Sequence, residues 1–215
     1  GCGILLGKFK KRPKFVECAA NEFFSEENSR LVRELVGGGN HFINVYENIA
    51  SPDEVYIAVH TNENFPGNVR DVDQNKAKMV GEGKRKFVLG EVAKYFGEEA
   101  TPLLDNFHNT VEVKGDNIVY RKGAVKISPG ELGFLPSSYN DDAIIFRANS
   151  NISDLENSIC HGTGRAIPLS EKPDKGEEFR GLWEVEPLLS PYINVISRLR
   201  PLGVNKDYIY RIKRK

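Results

Sequence analysis

The stretch from Ser158 to Arg165 holds the residues whose types and spacing point most directly to chemistry. It places His161 between a short apolar approach and a glycine-rich turn that ends in Arg165. Glycines let backbone and ligand approach closely, and their N–H groups together with a guanidinium favour a phosphate. A histidine in this place can act as a base, a metal ligand or a nucleophile. The alternative, from this stretch alone, is a histidine in a tight surface turn.

The other three histidines, His41, His60 and His108, lie in comparable places. Each stands where a predicted strand meets a loop, and side chains at such junctions commonly converge on a site. Cys2, between two glycines, offers a thiolate that joins imidazole in binding borderline metals such as Mn²⁺ or Zn²⁺. The four residues are widely separated in sequence, so their spacing alone is not diagnostic of a metal site.

The elements that position these residues follow from hydrophobic patterns. A predicted strand at 55–59 delivers His60, and Gly115-Asp116 predicts the turn of a hairpin that begins after His108. Residues 61–83 are polar and predict a long loop. The other predicted elements are strands at 42–46 and 143–146, a helix from Ser25 to Gly37, a short helix from Ser153 towards Cys160, and helices at 84–96 and 191–199.

Composition narrows the class of protein. Of the 215 residues, 40% are hydrophobic and 28% are charged, which is typical of a globular protein with a substantial core. No linker or repeat divides the chain, so we predict one α+β domain over residues 1–215, with mixed or antiparallel sheets and peripheral helices. The balanced charge argues neither for nor against nucleic acid. Three cysteines without framework spacing and the lack of a membrane-length apolar run predict a reducing, cytoplasmic location.

Three histidine motifs occur in the same order as motifs of the RtcB family. They are Gly39-Asn40-His41-Phe42-Ile43, Asp105-Asn106-Phe107-His108-Asn109 and His161-Gly162-Thr163-Gly164-Arg165. Residues 1–3, 121–124, 129–134 and 198–204 also resemble family segments, so the resemblance spans nearly the whole chain. The family consists of GTP-dependent RNA ligases that join a 3′-phosphate or 2′,3′-cyclic phosphate end to a 5′-hydroxyl end. The resemblance implies an RtcB-like fold in a compact, divergent or N-terminally truncated member that lacks the family's N-terminal portion.

The resemblance implies a mechanism with two metal ions. Cys2 would bridge two Mn²⁺ ions as a thiolate, with His41 on one ion and His60 and His108 on the other. His161 would be the nucleophile, whose neutral ring attacks the α-phosphorus of GTP and forms a phosphoramidate-linked GMP. The GMP would pass to the RNA 3′-phosphate, and the 5′-hydroxyl would then displace it.

The resemblance also implies contacts to nucleotide and RNA. Asn40 and Arg165 would contact nucleotide phosphates, Asn109 the RNA phosphate, and Ser138 and Lys206 the guanine. The alternative interpretation is that Ser138 is an ordinary loop residue and Lys206 one charge in a solvated basic tail.

The sequence departs from the family pattern in three places. The family aspartate three residues before the metal cysteine would fall before Gly1, and Asn44 replaces an acidic residue. Thr61-Asn62-Glu63-Asn64 stands where the family has Ser-Gly-Ser-Arg, which removes an RNA-phosphate arginine that Arg70 is a candidate to replace.

The expected function is therefore an RNA ligase of RNA repair or tRNA splicing that uses GTP and Mn²⁺. Its expected partners are RNA ends and, optionally, an activator protein. The departures motivate an alternative, a catalytically impaired RNA-end or metal-binding remnant of the same fold. A third hypothesis is an enzyme that guanylylates 3′-phosphates of DNA or RNA without sealing them.

Overall fold

A seven-stranded antiparallel sheet dominates the computed structural model, which describes residues 2–14, 34–37, 41–61, 74–138, 141–167 and 179–202. Two further pairs of strands and a few helices accompany it. The strands are β1 (Gly3–Phe9), β2 (Phe42–Asn48), β3 (Ser51–Thr61), β4 (Ala100–Phe107), β5 (Asn109–Lys114), β6 (Asn117–Lys122), β7 (Ala124–Lys126), β8 (Leu132–Leu135), β9 (Ala143–Ala148), β10 (Ser158–Cys160) and β11 (Ile193–Pro201). The helices are α1 (Gln74–Tyr95), a 3₁₀ helix (Ser150–Leu155) and α2 (Leu182–Leu189).

The order of strands in the main sheet is β4-β1-β3-β2-β11-β9-β8. Neighbours are antiparallel, with Gly3 opposite both Thr61 on β3 and Phe107 on β4, and with His60 opposite Phe42 on β2. Antiparallel pairing therefore brings the starts of β1 and β2 and the ends of β3 and β4 to one edge of the sheet. A second pair joins β7 to β10, and β5 and β6 form the hairpin.

Helix α1 packs across β1, β3 and β4 because apolar residues recur along one of its faces. Val88, Leu89 and Val92 are almost wholly buried against strand residues such as Leu5 and Val59. The opposite face of the same strands contributes Ile4, Tyr56 and Ala58 to a separate cluster. A third cluster joins β8, β9 and β10 to α2. The sheet is thus buried on both faces along the strands that end at the edge described above.

The α+β class, the mostly antiparallel pairing and several predicted elements are confirmed. The strand predicted at 42–46 is β2, the strand at 143–146 is β9, and the hairpin turns at Gly115, whose φ is +58°. The helix predicted at 84–96 is the second half of α1, and Gly97 follows it with φ +68°. Residues 34–36 are helical, whereas the rest of the helix predicted from Ser25 lies outside the described residues.

Three predicted elements are wrong. Residues 61–83 were predicted to form a loop, but α1 begins at Gln74. The first turns of α1 precede its buried apolar residues, so the hydrophobic pattern did not indicate them. The helix predicted at 191–199 is strand β11, since pairing with β9 and β2 on its two sides outweighs a short apolar pattern that suits either structure. Instead of a helix from Ser153, a 3₁₀ helix ends at Leu155 and strand β10 follows.

Gly133 on β8 provides a test of the packing in the third cluster. A Cβ at Gly133 would lie 2.2 Å from Cζ of the Phe146 ring, whereas a Cβ at Gly90 on α1 would meet no atom within 4 Å. We expect Gly133→Ala to lower the free energy of unfolding by about 1–3 kcal/mol through overpacking. Gly90→Ala, as the matched control, should raise it by about 0.5–1 kcal/mol. Urea unfolding measures both, and equal effects would contradict this packing.

Candidate metal centre

Four donor side chains meet at the edge where β4, β1, β3 and β2 end. His108 follows β4, Cys2 precedes β1, His60 is the penultimate residue of β3, and His41 precedes β2. The donors are far apart in sequence but lie on four adjacent strands, so strand pairing alone places them side by side. The sequence-based expectation that these four residues converge is confirmed.

The Cys2 sulfur lies at the centre of this group. Its distances to the Nε2 atoms are 3.5 Å for His41, 3.6 Å for His60 and 3.1 Å for His108. The Nε2 atoms of His60 and His108 are 3.3 Å apart, and the sulfur also lies 3.1 Å from the main-chain oxygen of Thr61. Cys2, His60 and His108 are buried, with 6%, 1% and 3% of their surface exposed.

These residues fit a metal ion. Their donor atoms form two groups that can hold one, Cys2-His41-His60 and His60-His108-His161. When two residues bind one tetrahedral ion through metal–nitrogen or metal–sulfur bonds of about 2.0 and 2.3 Å, their donor atoms lie roughly 3.3–3.6 Å apart. The separations of Cys2 Sγ from His41 and His60 and that between His60 and His108 have these values. A neutral thiol has one proton, so it cannot donate to three imidazoles and a carbonyl together.

His161 reaches the same site from a different direction. Strand β10 pairs with β7, and the chain leaves it at His161, whose ring stacks on His108 at 4.3 Å between centroids and 27° between planes. Its Nδ1 lies 2.8 Å from the main-chain oxygen of Gly123. A carbonyl only accepts, so Nδ1 carries the hydrogen, and in the neutral ring the lone pair is on Nε2.

The ring planes separate His161 from the other imidazoles. An ion bound through a lone pair lies near the plane of its imidazole ring. The planes of His41 and His60 are inclined at 70° and those of His60 and His108 at 69°, so they converge steeply. The planes of His108 and His161 are inclined at only 27°, so the two stacked rings direct their in-plane lone pairs along nearly parallel planes. His161 is therefore poorly placed to share an ion with His108, although it belongs to the second donor group.

Burial disfavours the charged forms of His108 and His161. Burial is the largest cause and lowers the pKa of His108 to about 3; the Arg85 cation and the protonated forms of His161 and His41 lower it further, and the main chain of Asn106 opposes the shift. Burial also lowers the pKa of His161, and the bond to Gly123 opposes that shift. Neutral imidazole is the form that binds metals and acts as a nucleophile.

Arg85 on α1 lies behind the donors, and the sequence analysis missed it. Its guanidinium is wholly buried and donates from Nε to Asp105 at 2.7 Å and from a terminal nitrogen to the Thr61 hydroxyl at 3.3 Å. It also lies 4.5 Å from the centre of the Phe107 ring and fills the space that a Cβ at Gly3 would need. Gly3, Thr61 and Phe107 are each next to a donor residue. The available signal was an arginine on the apolar face of α1, one turn before Val88 and Leu89.

The predicted nucleotide and RNA contacts are placed as follows. Asn109 begins β5 beside His108, and its side-chain oxygen accepts from the Gly123 N–H at 3.1 Å. Arg165 lies over the Phe179 ring at 5.4 Å. Ser138 lies two residues after Pro136, whose main-chain oxygen would be 3.5 Å from a Cβ at Gly162. Asn40 and Lys206 lie outside the described residues, as does Arg70.

Asn44, which stands where the family has an acidic residue, is buried on β2, and its side-chain nitrogen donates to the Tyr46 hydroxyl at 3.0 Å.

The comparisons with known proteins add no family to this description. No protein-family model and no curated protein matches the chain. Among the described residues, neither helix is both long and apolar enough to cross a membrane. Fold and site together define an α+β protein with a buried cysteine–histidine centre that can hold a metal ion.

The neutral histidines predict how the stability of the metal-free protein depends on pH. An imidazole whose pKa is lower in the folded state is protonated more readily in the unfolded chain, so stability is full above about pH 6.5 and falls as pH drops. We expect the midpoint of urea unfolding to fall between pH 7.5 and pH 5, with His108 contributing up to about 1.4 kcal/mol per pH unit. His108→Gln should reduce this dependence. A wild-type slope in that variant would contradict the buried, neutral His108.

Cobalt(II) tests whether the Cys2 sulfur is a ligand. Cobalt bound through a thiolate has a sulfur-to-metal charge-transfer band in the near ultraviolet, and we expect the wild-type chain to show one. Cys2→Ser should abolish the band and weaken binding at least tenfold, a loss typical of damaged metal sites. Cys160→Ser is the control, since Cys160 belongs to neither donor group. A band that survives in Cys2→Ser would exclude Cys2 as the ligand.

Proposed function

We propose that the chain is a GTP- and Mn²⁺-dependent RNA ligase that joins a 3′-phosphate or 2′,3′-cyclic phosphate end to a 5′-hydroxyl end in RNA repair or tRNA splicing. The observation that carries the proposal is the state of His161. Its Nδ1 bonds to the Gly123 carbonyl, which fixes one tautomer, and its ring is stacked on His108 with nearly parallel planes, unlike the steeply inclined rings of the other imidazoles. A nucleophile needs this arrangement, because a lone pair bound to metal is not available for attack.

The proposed first step uses the lone pair on Nε2 of His161. This atom attacks the α-phosphorus of GTP, a nitrogen–phosphorus bond forms, the bond to the β-phosphate oxygen breaks, and pyrophosphate leaves. The RNA 3′-phosphate then attacks the same phosphorus and releases His161. In the last step the 5′-hydroxyl oxygen attacks the activated 3′-phosphorus, and GMP leaves. A 2′,3′-cyclic phosphate must first be opened by water to give the 3′-phosphate.

Cys2, His41, His60 and His108 would hold the metal. A bound divalent ion would offset the charge that develops on the phosphates. The thiolate and imidazole donors suit Mn²⁺, Zn²⁺ or Co²⁺, and Mn²⁺ is chosen here on the family resemblance. Free cysteines at positions 2 and 160 agree with a reducing, cytoplasmic location, which is part of the same proposal.

The remaining contacts complete the proposal. Asn40 and Arg165 would bind nucleotide phosphates, and Ser138 and Lys206 would bind the guanine. The position of Arg165 beside the glycine turn after His161 supports its part. An activator protein is an optional further partner.

A second candidate is a metal- and RNA-end-binding protein without ligase activity. Two observations favour it. The side-chain oxygen of Asn109 is bonded to the Gly123 N–H, and Arg165 lies over Phe179, so two of the residues predicted to contact phosphate also make contacts within the protein. Tight binding of RNA without any guanylylation would support this candidate.

A labelling assay tests the ligase proposal. The chain is incubated with α-labelled GTP and Mn²⁺, and the protein is tested for label that is alkali-stable and acid-labile, as a phosphoramidate is. We expect one label per chain, lost in His161→Ala because the attacking nitrogen is gone.

The neighbouring variant Cys160→Ala serves as the control and should keep the label. A labelled His161→Ala protein, or a folded, metal-loaded wild type without label, would end the ligase proposal. If label forms, RNA with a 3′-phosphate and a 5′-hydroxyl should be joined, whereas RNA with the opposite end groups should not.

A further inference from the structure

Three hydrogen bonds connect Asn109 to His161 through one glycine. The side-chain oxygen of Asn109 accepts from the Gly123 N–H at 3.1 Å. The Gly123 carbonyl accepts from Nδ1 of His161 at 2.8 Å and from the His161 main-chain N–H at 3.2 Å. Every bond in this chain has a defined direction, because an amide N–H only donates and a carbonyl only accepts.

The peptide groups on both sides of Gly123 are anchored by two consecutive residues. Asn109 holds the N–H that precedes the glycine Cα. His108 holds the peptide that follows it, because its carbonyl accepts from the Ala124 N–H at 3.2 Å. The orientation of the Gly123 carbonyl, and with it the ring of His161, therefore depends on residues 108 and 109.

Glycine is needed at this position for two reasons. Its φ is +68°, a conformation that residues with a Cβ rarely adopt. A Cβ there would also lie 3.3 Å from Cε1 and Nδ1 of His161, so a side chain would press on the ring. Gly123 thus lets the carbonyl approach the imidazole closely, while Asn109 supplies the bond that keeps this conformation in place.

We propose that Asn109 is a positioning residue for His161, which it holds in the Nδ1–H tautomer through the Gly123 carbonyl. The inference rests on the proposed function only for its catalytic consequence. The family resemblance implies a contact to RNA phosphate, which the side-chain N–H₂ of Asn109 would donate, whereas the side-chain oxygen bonds to the protein itself. A neutral amide and a carbonyl fix the tautomer without adding a charge next to the ring.

Two substitutions separate the positioning role from an RNA contact. Asn109→Leu has similar size but no acceptor, so the Gly123 N–H loses its partner. Asn109→Asp keeps an acceptor oxygen at the same place, loses the amide N–H₂ and adds a charge that repels RNA phosphate. Asn48→Leu is the matched control, because the side-chain oxygen of Asn48 also accepts a main-chain N–H, from Ala50 at 3.0 Å.

Nuclear magnetic resonance of ¹⁵N-histidine-labelled full chain, prepared without added metal above pH 7, measures the tautomer directly. The His161 signals are assigned by their loss in His161→Ala. Wild type, Asn109→Asp and Asn48→Leu should show the Nδ1–H tautomer of His161, and Asn109→Leu should show a mixture. If Asn109→Leu does not fold, Asn109→Ser, whose hydroxyl is one atom shorter, replaces it.

The guanylylation rate, measured without RNA, supplies the second readout. Small misplacements of a reacting group cost up to about a hundredfold in rate, so we expect Asn109→Leu to be slower by tenfold or more. An RNA contact cannot account for a loss seen without RNA. A pure Nδ1–H tautomer in Asn109→Leu, or a mixture in Asn109→Asp, would overturn the inference. If no variant forms an adduct, the ligase proposal fails and the tautomer result still decides the role of Asn109.

Discussion

The packing of three imidazoles around the Cys2 sulfur is the constraint on which the rest of the site depends. Burial makes protonation of His108 costly, so its ring is neutral, and the lone pairs of neutral rings packed around Cys2 need partners. One thiol proton cannot supply them, and a metal ion can. The strand order β4-β1-β3-β2 places His108, Cys2, His60 and His41 in that order along one edge of the sheet, so a single metal site can bind their lone pairs. A metal ion would thus satisfy the donors that strand pairing assembles.

Arg85 adds a second constraint, a positive charge fixed behind the donors. A wholly buried guanidinium is tolerated only when it is paired and hydrogen-bonded, and Asp105 and the Thr61 hydroxyl provide those bonds. Burial raises the pKa of Asp105, and Arg85 opposes that shift. Because Arg85 touches residues next to Cys2, His60 and His108, helix α1 and the donor edge must keep their mutual position. The cation also lowers the pKa of His108, so it disfavours positive charge on that ring.

The sequence predicted the donors but not what surrounds them. Local patterns indicate where strands end in loops. Histidines at these junctions converge because strand ends meet at one edge of the sheet. The contacts of Arg85 depend on the register of three strands and on where α1 lies, and no local pattern contains either. The Asn109 bond depends on the φ angle of Gly123. Strand β11 was not predicted, because its short apolar pattern fits a helix equally well. Only its pairing with β9 and β2 makes this segment a strand.

The angles between the imidazole planes bear on how one site could bind a metal ion and also hold a histidine that reacts. The ring planes of His60 and His108 are inclined at 69°, whereas His161 lies almost parallel to His108, with 27° between planes. Stacking keeps His161 within 4.3 Å of His108, measured between ring centroids, without directing its lone pair to an ion that His108 could bind. The tether through Gly123 prevents the ring from turning over and exchanging its two nitrogens. On the ligase proposal, metal ligands and nucleophile would all be histidines, and the hydrogen bond from His161 to the Gly123 carbonyl would distinguish the nucleophile from the ligands.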